Sequence, residues 1–594
     1  MSDTVKMTID NIEVEVPRGT TVLDAAKEIG IRIPTLCHLD GVHQVGVCRV
    51  CVVEQEGRGN LLASCMLTAG EGMAVRTSTP KVMRARKTAV ELMLSDHIQD
   101  CLSCDRSQDC ELQTLAHNLG VDAERFGENL GAERVIDESS PSLVRDTGKC
   151  ILCRRCVSVC SEVQSVNTIA VQGRGIDSVI APAFTGLGDA VCVNCGQCAA
   201  VCPVNAIYEV DHIEPVEQAL LDPTKHVVVQ TAPAIRAAIG ETQGLEPGTL
   251  VTGQMVTALR LLGFDAVFDT NWSADLTILE EGMELLGRLK RALVDKDANV
   301  ALPMTTSCSP GWVKFLEHFF PEQIPNVSTA KSPQQMMGTV IKTYYAKNKG
   351  LAPEDVVVVS VMPCTAKKYE AGRPEMNDSG VADVDFVLTT RELGRLIRKH
   401  GVDFVNLPKG TCDDPLGLGS GAADIFANSG GVTEAALRTI HEVVTGKEIP
   451  VENLHIQDLM DIKGIREIAL TFQDCKDDFK WLEGVTAKVA ATSGLSNARV
   501  VMDQVEAGES PYHFIEVMGC PGGCIGGGGQ PRLTTDEIRR ARFQAICAED
   551  EGKELRKSHE NPYITKIYED FLGQPNSHKA HELLHTHYTP RSKN

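Results

Sequence analysis

Apolar and polar side chains alternate through KMTIDNIEVEV (6–16) on either side of Asp10-Asn11, the period-two pattern of a hairpin with one buried face. TTVLDAAKEIG, which follows, switches to helical spacing behind a threonine N-cap. This lead predicts a small β-rich domain. RARKTAVELMLSDH (84–97) has the spacing of another helix. Beyond about residue 213 the texture becomes ordinary α/β. HVVVQTAPA (226–234) and DVVVVSVMPC (355–364) read as buried strands, and MVTALRLLGF and LTILEEGMELLGRL as helices. Apolar runs such as VVVV at 356–359 fall far short of the roughly 18 residues that span a bilayer.

Composition narrows the picture. A length of 594 residues, 43 % of them apolar, predicts about three to five domains and several buried cores. Eighty acidic residues against 58 Lys and Arg give a net charge of −22, which opposes nucleic-acid binding and suits basic faces on protein partners. MSDTVKMTID has neither an apolar signal core nor a twin arginine, so the cytoplasm is expected. Twenty-two cysteines in a reducing compartment then point to metal rather than disulfides.

Their spacing sorts them. C-x2-C-x2-C-x3-C occurs twice, at Cys150, Cys153, Cys156, Cys160 and at Cys192, Cys195, Cys198, Cys202, the second followed by Pro203. This is the bacterial pattern for two 4Fe–4S clusters, in which the fourth cysteine of each run serves the other cluster. The expected sets are therefore Cys150, Cys153, Cys156 with Cys202, and Cys192, Cys195, Cys198 with Cys160. A pair of zinc sites is the competing reading. Cys37, Cys48, Cys51 and Cys65 resemble a β-grasp 2Fe–2S ferredoxin with a widened first gap, against a zinc ribbon. His97, Cys101, Cys104 and Cys110 are expected to hold a 4Fe–4S cluster with one imidazole ligand, delivered by the 84–97 helix. Replacing one thiolate by imidazole removes a negative charge and raises the potential. The first 212 residues thus read as a chain of four relays: one 2Fe–2S cluster and three accessory 4Fe–4S clusters.

Three further segments carry cysteine beside Pro or Gly at or near strand ends: TTSCSPGW (305–312), VMPCTAKKYE (361–370) and EVMGCPGGCIGGGGQP (516–531). Such neighbours let backbone approach a bulky group. The glycines at 526–529 lack a GxGxxG pattern and GLGSG (417–421) follows no strand, so no nucleotide or flavin site is expected in this chain.

These segments closely resemble the motifs of FeFe-hydrogenases, and the resemblance runs along essentially the whole chain. ENPYITKIYEDFLG (560–573) through HELLHTHY (581–588) is similar to the C-terminal wrap of catalytic subunits from NAD(P)-linked hydrogenase complexes. The resemblance implies a multidomain α+β protein: a β-grasp 2Fe–2S domain (1–79), a histidine-ligated 4Fe–4S domain (80–138), a two-cluster ferredoxin domain (139–212), a two-lobed catalytic domain (213–545) and a small-subunit-like wrap (546–594). It also implies an H-cluster, a 4Fe–4S cubane joined through a shared thiolate to a di-iron unit with CO, cyanide and azadithiolate. By motif position Cys364, Cys520 and Cys524 match ligands, Cys524 being the shared one. Lys367 matches the lysine that holds cyanide, and Met362 and Met518 the thioethers that shield the di-iron unit. Glu281, Glu284 and Ser328 match the proton route; spacing alone would read the two carboxylates as a solvated helix edge.

One position departs. Where the family has adjacent cysteines before the proline, this chain has Cys308-Ser309. Cys308 as ligand, Ser309 as an alkoxide ligand, and a cubane with three side-chain ligands are the open readings. Thiolate is the softer and more acidic donor, which favours Cys308 and leaves proton delivery unassigned. Cys412, Cys475 and Cys547 are expected to pack as small apolar residues, and His581, His585 and His587 to lie at the surface or pack.

The expected function is reversible interconversion of H2 with protons and electrons, the electrons passing to ferredoxin, to flavin- or NAD(P)-binding partner subunits, or to both by bifurcation. H-cluster maturation proteins are implied as further partners. Two other readings compete: the cluster-bearing subunit of an NADH:quinone-type dehydrogenase, and a hydrogen sensor or electron-transfer scaffold with little turnover.

Overall fold

The computed structural model describes residues 3–127, 133–183, 185–449 and 464–592. In the first domain, Thr4–Ile9 and Ile12–Pro17 form the expected hairpin, with Asp10 and Asn11 both at positive φ (48° and 70°). Left-handed values at both central positions are what a two-residue turn requires, and Asp and Asn tolerate them. Thr21 caps the helix Val22–Glu28 by accepting from the Asp24 N–H. Thr4–Ile9 also pairs in parallel with Met73–Arg76, which closes a five-stranded mixed sheet over that helix. The helix Pro80–Ser95, capped by Thr79, carries the chain out towards His97.

Two four-stranded sheets build the large domain. One is wholly parallel, in the order Ala266–Asp269, His226–Thr231, Val356–Met362, Phe386–Thr389. The other runs Met304–Thr305, Phe514–Met518, Thr486–Ser493, Ile465–Thr471, with only its last strand antiparallel. Val227, Val228, Val229, Val358 and Val359 are buried, as continuous runs in parallel sheets should be. Each cysteine-bearing motif follows the carboxyl end of a parallel strand, the usual place for a site in such sheets. The helix Asp536–Glu551 runs across the division expected between 545 and 546. Beyond it, residues 584–586 pair with 329–331, through a Lys331 N–H to Leu584 carbonyl bond of 2.8 Å and a Thr586 N–H to Thr329 carbonyl bond of 2.7 Å. Among the described residues no helix is long and apolar enough to cross a membrane.

Candidate metal centres and active site

All 22 cysteines are free thiols. In the first domain they meet as two pairs: Cys51 Sγ lies 3.3 Å from Cys65 Sγ, and Cys37 hydrogen-bonds Cys48. Those contacts favour one thiolate in each pair, at Cys48 and Cys51, while the partner holds the proton. Two thiol pairs suit two irons better than one four-coordinate zinc. His97 donates from Nδ1 to the Lys149 carbonyl (3.0 Å), because a carbonyl can only accept. That fixes the tautomer and leaves Nε2 able to accept a metal, the arrangement common to metal-binding histidines. Cys110 forms the N-cap of the helix Glu111–Leu119, with Cys104 among the thiols facing it.

The two interleaved sets come together around two separate cavities. Cys150, Cys153, Cys156 and Cys202 line one. Cys160, Cys192, Cys195 and Cys198 line the other. Burial pushes Cys150 and Cys153 up to about 12, with the neighbouring Cys202 thiol adding to it. Buried, mutually repelling thiols of this kind form a donor set that needs a cationic centre, and the residues fit iron–sulfur clusters.

At the catalytic motifs Trp312 is fully buried, and its indole N–H donates to the Thr306 carbonyl (3.1 Å), pinning the 305–312 turn. Met362 and Met518 are the last residues of their strands, each 3 % exposed. Cys364, Cys520 and Cys524 follow those strands and face one another; burial raises all three, Cys524 to about 12. The glycine run after Cys524 allows close backbone approach. A Cβ at Gly527 would lie 2.2 Å from the Pro363 carbonyl oxygen, and one at Gly528 2.0 Å from that of Cys195. The loop therefore touches both the Cys364 strand and the two-cluster domain. Gln197 donates to the Gly526 carbonyl (2.8 Å) and Thr365 to that of Asn194 (2.7 Å). Of the thiols facing Cys195, Cys520 acts most strongly.

Lys367 is held from two sides, donating to Glu370 Oε2 at 2.8 Å and to the Cys308 carbonyl at 3.1 Å. The Cys308 thiol is pushed well up by burial, and the charged groups facing it are Glu281, Lys367, Cys524 and Glu516. The adjacent Ser309 points elsewhere: its Oγ accepts from the Gly519 N–H at 3.2 Å, beside Cys520.

Glu281 is not a solvated edge. It is buried on the helix Thr270–Leu293, and one of its oxygens has no hydrogen-bond partner. Burial, with Glu284 nearby, pushes its carboxyl up to about 8. Ser328 hydrogen-bonds Glu281 and also donates to Glu284 Oε2 at 2.8 Å. Arg288 closes the line, 2.7 Å from Glu284 Oε1. Sequence reading passed over Arg288, although its i,i+4 spacing from Glu284 is the signal that finds it, and over Glu370, three residues after Lys367. His585 is buried against Glu280 (3.0 Å), whereas His581 and His587 are exposed. Cys475 and Cys547 pack in apolar clusters, with Cys412 at the edge of another.

Known proteins match along the whole chain. The iron only hydrogenase large subunit, C-terminal domain, matches residues 225–528, and the iron hydrogenase small subunit 536–591. A 2Fe-2S iron-sulfur cluster binding domain matches 2–80 and a 4Fe-4S dicluster domain 149–209. The NADH-ubiquinone oxidoreductase-G iron-sulfur binding region matches only 86–125, so the dehydrogenase-subunit reading does not extend to the chain as a whole. The NADP-reducing hydrogenase subunit HndD of Solidesulfovibrio fructosivorans is 50 % identical over 99 % of both chains. Iron hydrogenase 1 of Clostridium pasteurianum is 38 % identical over 98 % of this chain and 99 % of its own. A solved structure of FeFe-hydrogenase HydA1 from Chlamydomonas reinhardtii covers 64 % of this chain and 100 % of its own, at 43 % identity and a TM-score of 0.58. With its hydrogenase domain and its 2Fe–2S and 4Fe–4S binding domains in one polypeptide, the chain belongs to the iron-only hydrogenase family.

Proposed function

We propose that the chain catalyses reversible H2 oxidation and proton reduction, with Cys364, Cys520 and Cys524 holding an H-cluster and Cys524 supplying the shared thiolate. The observation that carries this reading is a single buried site with two separate exits. Glu281, Ser328, Glu284 and Arg288 lead away from Cys308 on one side, while Cys195 abuts Cys520 on the other. When bound, the H-cluster supplies the metal centre for H2 and the redox capacity. The protein's part is to place charge and protons. Lys367 offers a charge-assisted donor, kept in position by Glu370 and the Cys308 carbonyl. Met362 and Met518 keep water away. Glu281 holds a proton at neutral pH, ready to pass it through Ser328 to Glu284.

In this reading the side-chain directions favour Ser309 over Cys308 as ligand, against the preference from donor softness. The Cys308 thiol faces Glu281 and Lys367, while Ser309 Oγ accepts from the Gly519 N–H beside Cys520, where it would serve as the fourth ligand. The accessory complement in this reading is one 2Fe–2S cluster (Cys37, Cys48, Cys51, Cys65) and three 4Fe–4S clusters. The first of these has His97, Cys101, Cys104 and Cys110 as ligands, and the other two have the interleaved sets. Electrons pass to ferredoxin and to flavin- or NADP-binding subunits of a hetero-oligomer, a partnership supported by the likeness to a subunit of an NADP-reducing hydrogenase. The compartment is the cytoplasm, which keeps the free thiols reduced.

Infrared spectra of anaerobically matured protein test the reading. CO and cyanide bands that shift under H2 are expected, and their absence from protein with intact accessory clusters would refute it. Cys308→Ala should keep those bands and lose turnover. Loss of the bands would return Cys308 to the ligand set.

A further inference from the structure

Arg86 lies on the helix that connects the first cluster domain to His97, yet its side chain turns back into that domain and is only 5 % exposed. Nη2 donates to the carbonyl of Val52 at 2.8 Å, the residue directly after Cys51. Nε is buried without a hydrogen-bond partner. Among the described residues no carboxylate forms an ion pair with Arg86. The charges facing it are, strongest first, the Cys51 thiolate and Asp10. Asp10 is already engaged by Thr77, whose N–H donates to it at 2.8 Å and whose hydroxyl donates as well.

A guanidinium buried without a carboxylate is costly unless an anion of another kind faces it. Four thiolates around iron are such an anion, and reduction makes that anion one charge more negative. We propose that Arg86 sets the potential of the 2Fe–2S site, raising it by stabilising the reduced state through unpaired charge and the free Nε donor. Net charge and hydrogen bonds to sulfur are the levers by which proteins tune such clusters. Cys37 and Cys48 share an apolar core with Cys150, Cys153 and Cys202, so the 2Fe–2S site borders the next relay. A raised potential makes it the resting place for an electron leaving that relay. The inference rests on the assignment of Cys37, Cys48, Cys51 and Cys65 to a 2Fe–2S cluster.

The test is an EPR-monitored redox titration of the full-length, cluster-loaded protein as wild type, Arg86→Lys and Arg86→Met. The 2Fe–2S midpoint is expected to move to more negative potential in Arg86→Met, to stay near wild type in Arg86→Lys, and to leave the 4Fe–4S midpoints unmoved. An unchanged midpoint in Arg86→Met overturns the proposal. Loss of the 2Fe–2S signal from both variants also overturns it, by making Arg86 a folding residue. A wild-type protein with no 2Fe–2S signal would instead refute the cluster assignment itself.

Discussion

Replacing Glu281 by glutamine removes one proton-carrying group and almost nothing else. The carboxyl is 3 % exposed, and burial together with the Glu284 charge lifts it from 4.5 to about 8 against the opposing polar contacts with Ser328 and the Ser307 backbone. That rise amounts to about 5 kcal/mol in favour of the neutral acid, which leaves it protonated about ten to one at pH 7. Glutamine keeps the volume and a neutral hydrogen-bonding head but cannot hand a proton on. Turnover in Glu281→Gln should fall by about 10²–10⁴-fold, the range expected for a positioned proton-transfer group. The CO and cyanide infrared bands should persist, and the wild-type carboxylic C=O stretch should be lost as pH rises through about 8. Stability supplies a second sign. A group whose folded pKa is raised gives stability that is full below 4.5 and disappears as pH rises through about 8, so the variant should lose less stability than wild type over that window. Wild-type turnover with intact infrared bands, or a C=O stretch that titrates near 4.5, would refute the relay.

Two other positions give independent checks. Lys314 is buried over the Tyr369 ring (4.4 Å), and Cys192 is the strongest anion facing it; Lys314→Met should move the midpoint of the Cys160, Cys192, Cys195, Cys198 cluster to more negative potential in an EPR titration, with the 2Fe–2S midpoint unmoved. Burial pushes the Glu209 carboxyl up, but Arg391 (2.7 Å) and Arg532 prevail and hold it well below the usual range, so its stability is present above about pH 4.5 and lost as pH falls through the depressed value. Glu209→Gln leaves two buried guanidinium groups short of their partner and should cost about 3–5 kcal/mol at pH 7 in denaturant unfolding, with a smaller difference in acid.

What the sequence made legible was local. The hairpin at Asp10-Asn11, the Thr21 cap and the interleaved cysteine sets depend on spacings of a few residues, and the folded chain keeps them. The Cys308-Ser309 assignment was harder because donor chemistry and backbone direction disagree. Ser309 is extended (φ −100°, ψ 100°), and successive side chains on extended backbone point to opposite sides, so the two donors face different neighbours, which residue spacing does not record. Contacts such as Gly528 on Cys195 or His585 on Glu280 join residues hundreds of positions apart, and no periodicity records them. Burial of Glu281 was equally invisible, since a carboxylate pair three residues apart reads the same whether its helix face meets water or protein.

The strand-like pairing of residues 584–586 with 329–331 imposes an order of events on the ribosome. Domains fold as units from the N-terminus during synthesis, so the cluster domains are complete while the catalytic domain is still emerging. The segment that carries Ser328 is first tied to Thr305 (2.8 Å) and Glu284 (2.8 Å), and residues 584–586 add a later clamp, as Arg591 (2.6 Å) adds to Arg373 (2.7 Å) on Glu317. The proton side of the site thus receives its final contacts from the segment made after the catalytic motifs.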